Sequence, residues 1–156
     1  MKKLLLWVLL SVNMIAEDIT TELNDMYEEK SFLIAKSTTS YEEAKKFSKE
    51  ISKALGIHID YRGLSFHKSE FLSFSKKECE ESWGDNAYPC YVPRGRYDDG
   101  EYISIEHTNS YDEFTNGYYI VIVASGDSTS KTLKKVKKKY NDAYMKKAKV
   151  YMGCIH

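Results

Sequence analysis

The sequence predicts an α+β fold: a ferredoxin-like two-layer sandwich, βαβ-(insertion)-βαβ, whose antiparallel sheet carries two helices on one face. Three observations predict it. A strand, helix, strand pattern runs from Ser31 to Arg62, a second copy runs from Tyr118 to Gly153, and the apolar helical stripe maps onto itself after a shift of 89 positions. Neither helix can bury its stripe alone, so both are expected on one side of a shared sheet.

Ser31-Phe-Leu-Ile-Ala-Lys-Ser37 is a short apolar run between polar residues, the pattern of a strand. Ser40 and Glu43 have the spacing of a capping box, in which the hydroxyl accepts from one amide while the carboxylate reaches back to another. Ala44, Phe47, Ile51, Ala54 and Leu55 then recur at steps of three and four, and lysines and Glu50 occupy the other faces. Gly56 ends the helix, and Ile57-His-Ile-Asp-Tyr-Arg62 alternates as a strand with one buried face. In the second copy Tyr118 to Ala124 is the strand, Leu133, Val136, Tyr140, Ala143 and Tyr144 form the stripe, and Ala148 to Met152 is the closing strand.

An apolar fraction of 42% and a charged fraction of 29% in 156 residues suit one folded domain. Met1-Lys-Lys followed by Leu4 to Leu10 has the charged and apolar regions of a secretory signal peptide, with cleavage expected after Ala16 and an uncleaved anchor as the alternative. The run is too short for a permanent span, so no stable membrane span is expected. Residues 17–30 read as a polar lead-in and residues 31–156 as one domain with an insertion at 63–117. Removing the leader leaves a net charge of −2 from an overall zero, and that balance names no partner. Lys131 to Lys149 holds nine lysines against Asp142 alone. A basic helix of this kind either meets an anionic partner or is simply solvated.

Export makes the cysteines interpretable. Cys79 and Cys90 are expected to form a disulfide that closes the loop containing Trp83, Gly84 and Pro89. Cys154 is left over, either buried beside the last strand or paired between chains. His58, His67, His107 and His156 are too scattered for a zinc site, so no metal or cofactor is expected.

The insertion is too long to be a bare loop. Glu101 to Glu106 alternates as a strand, and Asn116-Gly117 is a hairpin turn signal, so one or two strands are expected beside the third main strand. Trp83, Tyr88, Tyr91, Arg94, Arg96 and Tyr97 suit stacking on sugars or anchoring a protein, or else they cover the domain's own edge.

Phe32-Leu-Ile-Ala-Lys-Ser37 with the helix from Tyr41 to Leu55, and Tyr119 to Ala124 with the helix from about Ser130 to Tyr144, resemble the SPOR (sporulation-related repeat) family. The likeness covers both repeats, about half the chain. It implies an exported, periplasmic or secreted, envelope module that binds peptidoglycan glycan on the sheet face opposite the helices. Strand parity then assigns Leu33, Ala35, Ile59, Ile120, Ile122 and Val150 to the helix side. On the other side it expects Phe32, Ile34, Lys36, His58, Asp60, Arg62, Tyr119, Val121, Val123, Lys149 and Tyr151 as contacts. Phe32, Tyr119 and Tyr151 would supply stacking planes, and His58, Asp60, Arg62 and Lys149 hydrogen bonds. The family often has a glutamine in mid-strand where this chain has Ile34 and Val121. So apolar a face calls for a cover: the insertion, a second copy of the chain, or a partner protein.

No nucleophile elbow, zinc signature or phosphate loop occurs, and pairs such as Glu106-His107 or Asp98-Asp99 read as ordinary surface pairs. The expectation is therefore no catalysis. The alternative to glycan binding is a protein-interaction or inhibitor module that uses the apolar sheet face or the disulfide-tied loop. Nucleic acid is not expected at an exported address.

Overall fold

The structure, a computed structural model, describes residues 26–153. Its elements are β1 (Tyr27–Thr38), α1 (Tyr41–Leu55), β2 (Ser65–His67), β3 (Phe71–Ser73), α2 (Lys76–Trp83), β4 (Ser104–His107), β5 (Tyr119–Ser125), α3 (Thr129–Lys137) and β6 (Tyr144–Tyr151). Four strands form an antiparallel sheet in the order β4-β5-β1-β6, while β2 and β3 form a separate hairpin. With three helices the architecture is α+β and broadly compatible with a ferredoxin-like sandwich. The chain divides into Glu29–Val150 and a terminal unit of Met1–Glu28 with Tyr151–His156. Within the latter, Met152 donates its amide to the Met26 carbonyl at 2.7 Å, and the rings of Tyr27 and Tyr151 lie 5.4 Å apart. The expected signal peptide, most of the lead-in and Cys154 lie outside the described residues.

Helix α1 starts where Ser40 Oγ accepts from the Glu43 amide at 3.3 Å, and it ends at Gly56 with φ +66°. Only half of the capping box forms. The Glu43 carboxylate takes the Thr38 hydroxyl at 2.6 Å and Lys36 at 2.6 Å, and the Ser40 amide donates to Thr38 Oγ1 instead. Ala44 and Ile51 are fully buried with Leu33, Ala35, Ile105, Val121 and Val123 of the sheet, and Val136 of α3 joins the same cluster. Both helices thus cover one sheet face.

Four expectations are corrected. Ile57 to Arg62 is not a sheet strand; it makes one parallel bridge, Ile59 to Ile103, held by Asp60 N to Ile103 O and Ile103 N to His58 O, each 2.9 Å. The sheet's second strand is β4, joined to β5 by residues 108–118 with a 3-10 turn at Thr108–Ser110, and it lies antiparallel on β5 from Ser104 opposite Ile122 to His107 opposite Tyr119. The second helix stops at Lys137, so Tyr140, Ala143 and Tyr144 leave the stripe and Tyr144 opens β6. The first strand begins at Tyr27, within the supposed lead-in.

The fourth correction concerns sheet phase. Val121 and Val123 face the helices, and Ile120 and Ile122 share the other face with Phe32, Ile34, Ser104 and Glu106. Parity fixes alternation along each strand but not the register between strands, and irregularities at Leu33/Ile34 and Ile34/Lys36 shift it further.

Candidate functional site

The face opposite the helices is not open. Residues of the insertion lie on it: the Tyr111 ring meets Phe32 edge-on at 5.3 Å, and Arg94 donates to the Ile122 carbonyl. Gly95, at φ +104°, passes so close that a Cβ there would meet Phe32 Cζ at 3.0 Å and Val150 Cγ2 at 3.3 Å, which only glycine allows. Phe32, Ile34 and Val121 are completely buried, so none is available as a glycan contact.

An irregular cover lays backbone outside regular helices and strands against the sheet, and its polar groups need partners. Arg94, itself fully buried, meets that need: its guanidinium donates to the carbonyls of Gly100 (2.9 Å), Tyr102 (2.9 Å) and Ile122 (3.2 Å) and to the hydroxyls of Ser104 (3.1 Å) and Ser125 (3.2 Å). It also stacks 3.5 Å from the centroid of Tyr102. Burial pulls the Arg94 pKa down, against the electrostatic pull of Tyr102 and Glu106.

Arg62 holds the second knot, donating to Asp98 at 2.7 Å, to Glu106 at 2.9 Å and to the Val92 carbonyl at 2.9 Å. Burial works to lower its pKa, yet Glu106 and Asp98 outweigh it and raise it. Asp98 is likewise driven up by burial but held below the usual carboxylate range by Arg62, the Gly95 amide at 2.6 Å and the Tyr102 hydroxyl at 2.9 Å. The Tyr91 hydroxyl donates to Glu106 and stays protonated, because burial first and Glu106 second raise its pKa. The pair read as superficial, Glu106-His107, is therefore interior: Glu106 is 0% and His107 3% exposed.

Above this network the insertion raises a lobe of hairpin β2–β3, helix α2 and the segment to Tyr91. Leu64, Phe74 and Cys79 form its small core, and the Cys79–Cys90 disulfide is formed, with Cα atoms 5.6 Å apart. Such a bridge is compatible with an extracellular location. Phe66, Phe71 and Trp83 present large exposed ring area on this lobe. Phe66 stacks on Tyr41 at 4.7 Å, Phe71 stacks on His107 at 4.3 Å, and Tyr119 meets Tyr41, Phe66 and His107 edge-on. Beside Phe71 opens a cavity of about 160 Å³ lined by Glu70, Leu72, Pro89, Tyr91, His107, Asn109 and Ser110, among others. Burial lowers the His107 pKa, so the ring is neutral at pH 7, and its Nε2 has no hydrogen-bond partner.

Of the residues expected to bind, Tyr119 alone belongs to this cluster, nearly buried at its centre. Lys36 pairs with Glu43, exposed Asp60 caps the Arg62 amide at 2.7 Å, and exposed His58 lies 5.9 Å from the Tyr102 ring. Lys149 is exposed, and its amide donates to Glu113 at 2.9 Å; Tyr151 belongs to the terminal unit. In the insertion, Trp83 is half exposed, Tyr88 packs on His67, Arg94 is buried, and the Arg96 guanidinium lies 5.4 Å over Tyr97, the most exposed aromatic named here. Phe66, Phe71 and His107 were missed, because three-residue strands show too little alternation to reveal a face.

Among the described residues no cluster of three or more His, Cys, Asp or Glu could hold a metal ion, and no helix is long and apolar enough to cross a membrane. Comparison of the chain with protein-family models, with curated proteins and with solved structures finds no match.

Proposed function

We propose that the chain is an exported, non-enzymatic binding module that engages envelope glycan, peptidoglycan strands above all, through the aromatic face of the inserted lobe rather than through the sheet. The observation that carries this reading is the pair of exposed ring faces at Phe66 and Trp83, backed by Tyr41 and Phe74. Flat rings held from behind offer stacking area at little entropic cost, and sugars present apolar C–H faces to them. The SPOR resemblance of the two repeats supports a glycan ligand and a finer, SPOR-like assignment of the sandwich. In that family the ligand lies on the sheet face, which Phe32, Ile34 and the Arg94 knot fill here, so recognition moves outward to the lobe. Catalysis has no place in this reading, because the carboxylates that converge, half-buried Asp98 and buried Glu106, are both ion-paired to Arg62.

Purified peptidoglycan sacculi test it. Retention of the full chain at micromolar concentration, lost in a Phe66→Ala/Trp83→Ala double variant, is the expected result, and no retention of the unaltered chain rejects it. One observation favours a protein partner instead: Trp83, 50% exposed at the end of a disulfide-tied helix, has the character of an interface anchor.

A further inference from the structure

We infer that the ring of Phe71 is a displaceable lid over a polar subsite floored by His107, and that this subsite takes one neutral pyranose residue. The inference rests on the glycan reading above and names the group recognised and the residue that moves.

Two unfavourable features meet at one point. Phe71 has φ +63°, a left-handed backbone that a bulky L-residue rarely adopts, and its ring is 42% exposed although it stacks on His107 with planes 15° apart. Beneath it, the Nε2 of a side chain withdrawn almost wholly from water makes no hydrogen bond. Strained backbone and an orphaned polar atom persist where the surroundings enforce them, and they cluster where ligands are clamped. The cavity of about 160 Å³ lies beside both residues. When the Phe71 ring swings into it or out over its rim, the imidazole face and Nε2 become accessible, and a sugar hydroxyl or acetamido group supplies the missing partner.

The lining sets the ligand class. Tyr91, Leu72 and Pro89 give apolar wall, while Asn109 and Ser110 offer an amide and a hydroxyl. Glu70 accepts from hydroxyls and repels anions, and no lysine or arginine lines the cavity to balance a carboxylate or sulfate. A neutral imidazole donates or accepts one hydrogen bond without a charge requirement. The volume is well below the roughly 300–1,000 Å³ of drug-sized sites, which points to a single ring.

Calorimetric and NMR titrations of the full chain with N-acetylglucosamine, and with N-acetylneuraminic acid as the anionic control, test the lid. A closed lid weakens apparent affinity by the fraction of time it is open, so Phe71→Gly, which removes ring and strain together, is expected to bind N-acetylglucosamine about tenfold more tightly. Saturation should move the His107 Nε2 resonance, and the anionic sugar should not. Phe71→Asn, tolerated at positive φ, is the second variant, and His107→Phe in either background should abolish the gain. No gain in both Phe71 variants, or a gain that survives His107→Phe, overturns the lid. Retention of the unaltered chain on sacculi without such a gain rejects the lid alone. A gain without retention rejects peptidoglycan while leaving the pyranose subsite standing.

Discussion

The two faces of one sheet are covered in different ways. On one, Leu33, Ala35, Val121 and Val123 meet the stripes of α1 and α3 in a cluster of apolar side chains. On the other, Phe32, Ile34, Ile120 and Ile122 lie with Glu106 of β4 under irregular chain that brings in Arg62, Arg94 and Asp98. A helix satisfies its own backbone and asks its partner only for apolar area. Irregular chain does not, so a guanidinium with its five donors is buried to serve the carbonyls of Gly100 and Tyr102 in the cover and to tie them to the Ile122 carbonyl of β5. Two arginines against two carboxylates leave that interior without net charge.

The largest effect should come from breaking the polar cover. Arg94→Met keeps length and apolar volume but removes the buried guanidinium from the carbonyls of Gly100, Tyr102 and Ile122, of which Gly100 retains the Ser125 amide, and a loss on the order of 3–5 kcal/mol is expected. Urea unfolding should show a lowered midpoint, with dye binding to the exposed sheet face. If Arg94→Met costs no more than a surface substitution, the guanidinium is not what holds the cover. Adjacent residues sharpen the contrast: Leu33→Ala and Phe32→Ala should each cost about 2–5 kcal/mol, although they face opposite sides. A negligible cost for Phe32→Ala alone would mean that the cover is loose.

The disulfide comes next. Cys79→Ser/Cys90→Ser should lower stability by roughly 3 kcal/mol, read from the urea midpoint. Denatured protein alkylated without reductant should gain one label and not three, since three cysteines are present and two are bridged.

A smaller effect is set by pH. Burial holds the His107 pKa below its ordinary value of about 6.5, so below that value the unfolded chain binds the proton more readily than the folded one. Stability is therefore full well above pH 6.5 and falls as the pH drops below about 6.5 toward 5. His107→Phe should flatten the urea midpoint across that range, and an unchanged slope would assign the dependence to other groups. Asp98, held low, adds a further loss only at more acidic pH, as it is protonated. Smallest of all, Lys135→Ala breaks a half-exposed pair with Glu101 at 3.7 Å and should change stability by about 0.5 kcal/mol or less.

Where local chemistry decides, the sequence was readable. Ser40 and Gly56 bound α1 as their side chain and backbone freedom require, Ala44 and Ile51 of its stripe are buried with Phe47 and Leu55 packed against them, and alternation from Glu101 to Glu106 marked β4, which runs from Ser104 to His107. The disulfide also followed from spacing and the export expected from the leader. The second helix misled, because Tyr140, Ala143 and Tyr144 continue its period while Asn141 and Asp142 turn the chain into β6. A period cannot report where a helix stops when no glycine cap follows it.

The sequence by itself determined that two amphipathic helices cover one face of a common sheet, because an amphipathic stripe has to be buried and its spacing is written in the chain. Only the tertiary structure decided which side of each strand met those helices. Both sides are apolar in Phe32 to Ala35 and in Tyr119 to Ala124, so alternation carries no preference between them. It also decided that Arg94 is interior and that Phe66, Phe71 and His107 stand together. Residues as far apart as Phe32 and Tyr111, or Arg62 and Glu106, became neighbours through strand register and buried guanidinium groups, neither of which leaves a periodic signal.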